Sequence, residues 1–272
     1  GLGAWKKFVD RIGSARKEVR IAIVGKYFDT GDYVLSDAYL SVIEAIKFSA
    51  AALGLKPVIT WVNAKHFENG KAKPATLAKF DGIIVPGGFG ETGIEGKIKA
   101  IRFAREKRIP YFGLCYGMQL MVVEYARNVL GKKGANTTEI DKKASYPVVD
   151  VMLEQKKHLA ENKYGGTMRL GTYPAYLKKG TIARGAYKQE IVQERHRHRY
   201  EINNEYVAAL EGAGLVFSGT SPDRSLMEIA ELPKSKHPFM LGTQFHPELQ
   251  ARPLDPHPLF TEFLAAAAKR RR

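Results

Sequence analysis

Cysteine is almost missing from this chain: Cys115 is the single one in 272 residues. One thiol cannot close an internal disulfide, so a stapled secreted scaffold is excluded; a reducing compartment or a reactive thiol is indicated instead. No apolar run is long enough to span a bilayer and no signal-peptide pattern is present, so a cytoplasmic location without membrane contact is expected. Acidic residues are scarce, 28 against 43 Lys and Arg, leaving a formal charge of +15. Such a surplus invites a nucleic-acid partner. The cations are scattered, however, apart from "KRRR" at the C-terminus and "RHRHR" at 195–199. No aromatic-interleaved basic stripe accompanies them, so no nucleic-acid partner is expected. The "RHRHR" run reads as a strand with one inward arginine and solvated neighbours. Internal repeats and long low-complexity segments are lacking as well.

What is present is an alternation of strand and helix patterns. "VRIAIVG" (19–25) is a β-branched run ending in glycine, the mark of a strand buried on both faces. Tyr39, Val42, Ile43, Ile46, Ala50 and Leu53 recur at helical spacing before Gly54, as in an amphipathic helix with a glycine stop. "KPVITWV" (56–62), "DGIIV" (81–85) and "IPYFGL" (109–114) read as further strands. Residues 94–107 and 117–131 read as helices between and after them. The second half is richer in strand-like segments, and "LFTEFLAAAAKR" (259–270) reads as a closing helix. The expected fold is α/β: a central, mostly parallel sheet flanked by helices, with a small antiparallel extension. Residues 1–18 read as a linker or pre-domain segment, and 19–272 as one domain.

Three segments carry chemistry. Gly113-Leu114-Cys115-Tyr116-Gly117 has the form G-x-C-x-G between a strand and a helix. This is the cysteine counterpart of the nucleophile elbow. Flanking glycines relieve crowding at a strained turn, and a thiol at a helix N-terminus meets the positive end of the dipole. Against this stands the ordinary role of a free cysteine as a small buried hydrophobe. "PGGFG" (86–90) follows the preceding strand, where open parallel sheets gather ligand sites. Gly88 there can offer a backbone N–H to an oxyanion, as can Tyr116; a plain glycine-rich turn is the bland reading. In "QFHPE" (244–248), His246 and Glu248 lie two apart at a strand end, so both project to one side and the carboxylate can orient the imidazole. His196 and His198 sit in the charged run, and His237 and His257 sit beside prolines in loop-like sequence.

Together these segments resemble class I (triad) glutamine amidotransferases. "IAIVGKY" (21–27), "DAYLSVIEAIKF" (37–48), "PGGFGETGIEGKI" (86–98), "ARNVLG" (126–131), "GGTMRLG" (165–171), "ERHRHRYEIN" (194–203) and "QFHPEL" (244–249) narrow the likeness to the glutaminase domains of CTP synthases. The resemblance runs from about residue 19 to 265. It implies a class I amidotransferase domain lacking its N-terminal synthetase domain. It further implies Cys115 as nucleophile, His246 as general acid/base and Glu248 as orienting carboxylate. Gly88 and Tyr116 would form the oxyanion hole, and glutamine would be bound by Gly88, Tyr116, Gly117, Met118, Gln119, Glu139 and Arg199. Glu139 and Arg199 suit the ammonium and carboxylate of a free amino acid. Many family members carry an aliphatic residue where this chain has Tyr116. No metal or cofactor is expected in this chain; ATP and Mg²⁺ would belong to the synthetase domain. Expected partners are L-glutamine and the synthetase domain, with UTP, ATP and GTP at the level of the full-length enzyme and a monomeric isolated domain. Other readings of the same residues are a γ-glutamyl hydrolase, a cysteine peptidase on a related fold, and a regulatory or assembly module without activity.

Overall fold

A computed structural model of the chain describes residues 1–25, 39–88, 92–151 and 168–270. The first two residues of the glutamine-amidotransferase-like segment at 37–48, the last two at 21–27, residues 89–91 of the glycine-rich loop and 165–167 of "GGTMRLG" lie outside that set. The element order begins with α1 (Leu2–Ser14), β1 (Lys17–Gly25), α2 (Leu40–Ala52), β2 (Leu55–Asn63), α3 (Ala64–Glu68) and β3 (Gly82–Val85). It continues with α4 (Ile94–Glu106), β4 (Tyr111–Leu114), α5 (Tyr116–Asn128), β5 (Ala135–Thr137) and β6 (Tyr146–Val151). Then come β7 (Arg169–Leu177), α6 (Ile182–Tyr187), β8 (Ile191–His198), β9 (Tyr200–Ile202), α7 (Val207–Gly212), β10 (Val216–Thr220), β11 (Met227–Leu232), β12 (Met240–Thr243) and α8 (Pro258–Lys269).

A nine-stranded sheet runs in the order β2-β1-β3-β4-β12-β11-β10-β7-β8. The pairs β2–β1, β1–β3, β3–β4 and β4–β12 are parallel. From β12 outward through β11, β10, β7 and β8 every pair is antiparallel. The sheet is therefore mixed, and its antiparallel wing spans as many pairings as its parallel half. The wing arises because strands after Arg169 are joined by short turns and one-turn helices, which permit antiparallel return but not a parallel crossover.

Strand alternation builds the two core layers. Ala22 and Val24 of β1 join Ile83, Val85 and Tyr111 beneath α4 and α5. Ile21, Ile23, Ile84 and Phe112 face the other way, against α2 and α8. There Phe112 meets Phe260 at 5.0 Å between ring centroids and Phe263 at 5.9 Å. Burial on both faces accounts for the continuous apolar runs read as strands. Residues 2–14 form a helix without buried residues, touching the body through Phe8 and Phe48 at 6.4 Å.

A second, three-stranded sheet, β5-β6-β9, stands beside the main one. Arg199 is the sole residue between β8 of the large sheet and β9 of the small one. The two sheets thus meet at the guanidinium-bearing position that the sequence singled out.

Candidate active site

Three neighbouring parallel strands deliver the site. β3, β4 and β12 are adjacent, and their C-terminal ends lead into Gly87–Gly88, Cys115 and His246. Ligand crevices of open α/β sheets lie at this end. Cys115 has φ 49° and ψ −99°, an L-residue in the positive-φ region. That conformation is sparsely populated and persists only when its surroundings impose it. Here the Cys115 N–H donates to Thr243 O at 2.7 Å, and the Cys115 carbonyl accepts from Met118 N at 3.0 Å and Gln119 N at 3.2 Å. The flanking glycines are required by close approach. A Cβ on Gly113 would lie 2.7 Å from the Gly117 carbonyl carbon, and one on Gly117 would run into the Val85 carbonyl oxygen.

His246 and Glu248 meet through Nδ1 and Oε1 at 2.7 Å. Strand alternation does not bring them together, contrary to the expectation. β12 ends at Thr243, and Pro247–Leu249 form a single 3₁₀ turn opened by Pro247. The imidazole lies beside Cys115 against Gly87, where a Cβ would stand 2.9 Å from the His246 Cε1 and 3.7 Å from the Cys115 Cβ. Burial opposes charging of His246. The Glu248 carboxylate, hydrogen-bonded to it, and the neighbouring Cys115 side chain outweigh it and raise its pKa well above that of an ordinary imidazole. With Glu248 fixing Nδ1, the other ring nitrogen is free to exchange a proton with the sulfur.

A cavity of about 270 Å³ opens on this group, lined by Gly88, Cys115, Tyr116, Gln119, Glu139, His198, Arg199 and Tyr200. The volume suits an amino acid rather than a chain. Polar side chains converge at its far end. Glu139 follows β5 on a turn in which its N–H donates to Thr137 Oγ1 at 3.2 Å. Arg199 sits exposed at the junction of the two sheets. Burial, the Glu139 charge and Asp150 push the Tyr200 hydroxyl upward while Arg199 pulls it down. Both charges therefore act at the same wall. At the near end, the backbone N–H of Tyr116 is the first of α5 and has no intrahelical acceptor.

Gly117 and Met118 do not turn their side-chain positions to the cavity. Gly117 packs under Val85, and fully buried Met118 is wedged toward Gly242, so neither presents a side chain to a ligand. The "RHRHR" expectation is inverted: the burial pattern of β8 turns His196 and His198 inward, and Arg195, Arg197 and Arg199 outward.

Four contributors escaped sequence reasoning. Gln244 is fully buried and its Nε2 lies 3.8 Å from Cys115 Sγ, while its Oε1 accepts from Gln119 Nε2 at 3.2 Å. Gln119 Nε2 also donates to Tyr200 O at 2.9 Å, which ties the nucleophile to the Arg199 wall. His198 and Tyr200 line the cavity, and buried Lys97 stands 5.3 Å from the Tyr116 ring centroid. Only the strict Arg/His alternation could have flagged His198; Gln244 and Lys97 left no local signal.

Residues 34–266 match the glutamine amidotransferase class-I family. The chain is 54% identical over 268 residues to CTP synthase of Pelotomaculum thermopropionicum, covering 98% of this chain and 48% of that protein. It is 51% identical to CTP synthase of Thermococcus gammatolerans, with 99% and 49% covered. The chain thus spans about half the length of the curated relatives it matches. Among solved structures it resembles the glutaminase domain of Trypanosoma brucei CTP synthase with bound acivicin, at TM-score 0.83 and 40% identity, covering 93% of this chain and 95% of that one.

Proposed function

Because the chain belongs to the class-I glutamine amidotransferases, in the branch of CTP synthase glutaminase domains, we propose that Cys115, His246 and Glu248 hydrolyse L-glutamine to glutamate and ammonia. The carrying observation is the Cys115–His246–Glu248 group beside a cavity that Cys115, Glu139 and Arg199 line together. Glutamine lies with its α-ammonium toward Glu139 and its α-carboxylate on Arg199, where a guanidinium can bind two oxygens at once. That pair of α-charges favours a free amino acid over a peptide, which lacks both at one carbon.

His246 takes the thiol proton, and Cys115 Sγ attacks the side-chain carboxamide carbon. The carbonyl π electrons move to oxygen, where the backbone N–H groups of Gly88 and Tyr116 hold the oxyanion. Each such donor is worth roughly 3 kcal/mol in the transition state. The tetrahedral intermediate collapses as His246 returns the proton to nitrogen, so ammonia leaves and a γ-glutamyl thioester remains. Water then enters; His246 takes one of its protons while oxygen bonds the acyl carbon. Collapse breaks the C–S bond, releases glutamate and gives the proton back to sulfur.

In the relatives named CTP synthase the matching segment is about half of a longer chain. By that similarity the ammonia made here serves the ATP- and Mg²⁺-dependent amination of UTP by a synthetase domain, with GTP as a further ligand of the whole enzyme.

Ammonia release from glutamine tests the reading. Cys115→Ala should abolish turnover, and His246→Gln should lower it by about 10³-fold or more. Glutaminase activity surviving in Cys115→Ala would refute the assignment. Preference for γ-glutamyl peptides over free glutamine would favour a γ-glutamyl hydrolase instead.

A further inference from the structure

Five titratable side chains that the reaction does not use are buried together at the cavity wall and behind it, His198 being the one that reaches the lining. Arg169 of β7, opposite His198 of β8, reaches Glu228 of β11 with Nη1 to Oε1 at 2.8 Å. The same Nη1 lies 3.7 Å from Glu201 Oε1 of β9 and 3.3 Å from His196 Nδ1. His196 Nδ1 meets His198 Nε2 at 2.9 Å, and His198 Nδ1 stands 3.3 Å from Glu201 Oε1. Arg169 is further held under the Tyr173 ring at 4.4 Å from its centroid, and Phe245, the neighbour of His246, packs on His196 at 5.8 Å between centroids.

The arrangement is costly if stability were its purpose. Buried ion clusters are commonly no more stable than apolar replacements of the same size. Among the described residues both Glu201 oxygens lack a hydrogen-bond donor. Burial and then Arg169 push His196 down to about 2; the same causes push His198 down to about 3, and burial lifts Glu228 to about 7 against the pull of Arg169. Neutral imidazoles thus sit in a carboxyl pair that shares one arginine. A metal does not account for it: among the described residues no group of three or more His, Cys, Asp or Glu is arranged to hold one.

What the cluster touches is more telling. β8 ends at His198 and β9 begins at Tyr200. His198 Nδ1 and Glu201 Oε1 face each other at 3.3 Å across that junction, and Arg199 is the link between them. On the opposite side Gln119 holds the Tyr200 carbonyl. The link at Arg199 is therefore rooted in the buried cluster through His198 and Glu201 on either side of it, and tied to Gln119 through the Tyr200 carbonyl, while its side chain stays exposed. A long, flexible arginine on a loose link would lose much of its binding free energy to ordering, and pre-fixing its root removes part of that cost.

We propose that the Arg169–His196–His198–Glu201–Glu228 cluster is a positioning device for Arg199, which sets how tightly the glutamine α-carboxylate is held and leaves the chemical step alone. The inference rests on the glutamine-pocket reading above. Glu201→Gln keeps the shape and exchanges the carboxyl that faces Arg169 and His198 for an amide. It is expected to raise the glutamine KM by about tenfold with kcat within about twofold. The rate of Cys115 alkylation by iodoacetamide should not change, because the thiol and His246 are untouched. In an Arg199→Ala background Glu201→Gln should raise KM no further, as residues acting through one another are non-additive. Should Glu201→Gln fold poorly, His196→Asn and His196→Leu replace it: Asn retains a polar group near the Nδ1 position and should keep KM within about threefold, whereas Leu should raise it about tenfold. A fall in kcat at unchanged KM, full additivity with Arg199→Ala, or equal behaviour of Asn and Leu would each overturn the proposal. If Arg199→Ala itself leaves KM unchanged, the carboxylate does not lie there and the pocket reading fails first. If Arg199→Ala raises KM while Glu201→Gln is silent, only the positioning claim fails.

Discussion

The histidines show how strongly burial decides what a residue does. His246 is held protonatable by a carboxylate 2.7 Å away, whereas His237 is held neutral. His237 Nε2 donates to Ala104 O at 3.1 Å and its Nδ1 accepts from Phe239 N at 3.3 Å. Burial, against those bonds, pushes it down to about 4. A depressed histidine favours the fold while neutral. As pH falls through 6.5 the unfolded chain takes up a proton that the folded one refuses until about 4, so stability drops across that window. Between pH 7 and 5 the loss from this residue is about 2 kcal/mol. Urea unfolding at the two pH values should show His237→Gln losing less stability on acidification than the parent. Equal losses would contradict the assignment. None of this could be read locally: "KHPF" looks like a turn beside proline, and only the distant Ala104 carbonyl explains why the imidazole is buried. Cys115 is the opposite case. Its glycine spacing announced a strained turn, and φ 49° with glycine contacts on both sides is what that spacing produces.

At the level of elements, α5 follows directly on the nucleophile and, among the described residues, two ion pairs pin it to α4: Arg127–Glu95 near the surface and Arg105–Glu124 within. Arg105 Nε and Nη2 bind Glu124 Oε2 and Oε1 at 2.9 and 2.7 Å, and Glu124 is fully buried. The carboxylate outweighs burial and lifts the guanidinium pKa further. Arg105→Ala leaves a buried charge unpaired and should cost 3–5 kcal/mol or so, on the order of other broken buried pairs. Pairing it with Glu124→Leu should recover most of that, because the uncompensated charge is gone. Guanidinium denaturation of the single and double variants decides it, and a single variant within about 1 kcal/mol of the parent would contradict the argument. The parallel half was legible: β2 reads as 56–62 and spans Leu55–Asn63, and α5 reads as 117–131 and spans Tyr116–Asn128. Long apolar runs and helical spacing carry that much signal. β5 and β9 have three residues each, too few for an alternation to register. Those two strands of the small sheet leave no trace for that reason, whereas "YPVVDVM" reads as a strand and holds β6. In β8 the alternation was present but was read with the wrong face inward, since histidine and arginine look equally polar until partners appear.

Seen whole, the molecule divides the work between its sheets. Parallel strands of the large sheet present Gly88, Cys115 and His246, while the small sheet and its junction present Glu139, Arg199 and Tyr200. Acyl chemistry and recognition of the amino acid's charges therefore arise on separate supports that meet at one cavity. The sequence points to both sets because their residues cluster in short motifs, but the wiring between them depends on contacts distant in the chain: Gln244 meets Gln119 and Cys115 125 and 129 residues away, and Gln119 meets Tyr200 81 residues away. No helix among the described residues is long and apolar enough to cross a membrane. The most direct test of the account is intact-mass and peptide-mapping spectrometry after treatment with acivicin or a diazo-ketone glutamine mimic. One adduct per chain is expected, on Cys115, slowed by excess glutamine, weakened by Arg199→Ala and absent in Cys115→Ala. An adduct on another residue, or labelling indifferent to glutamine, would contradict it.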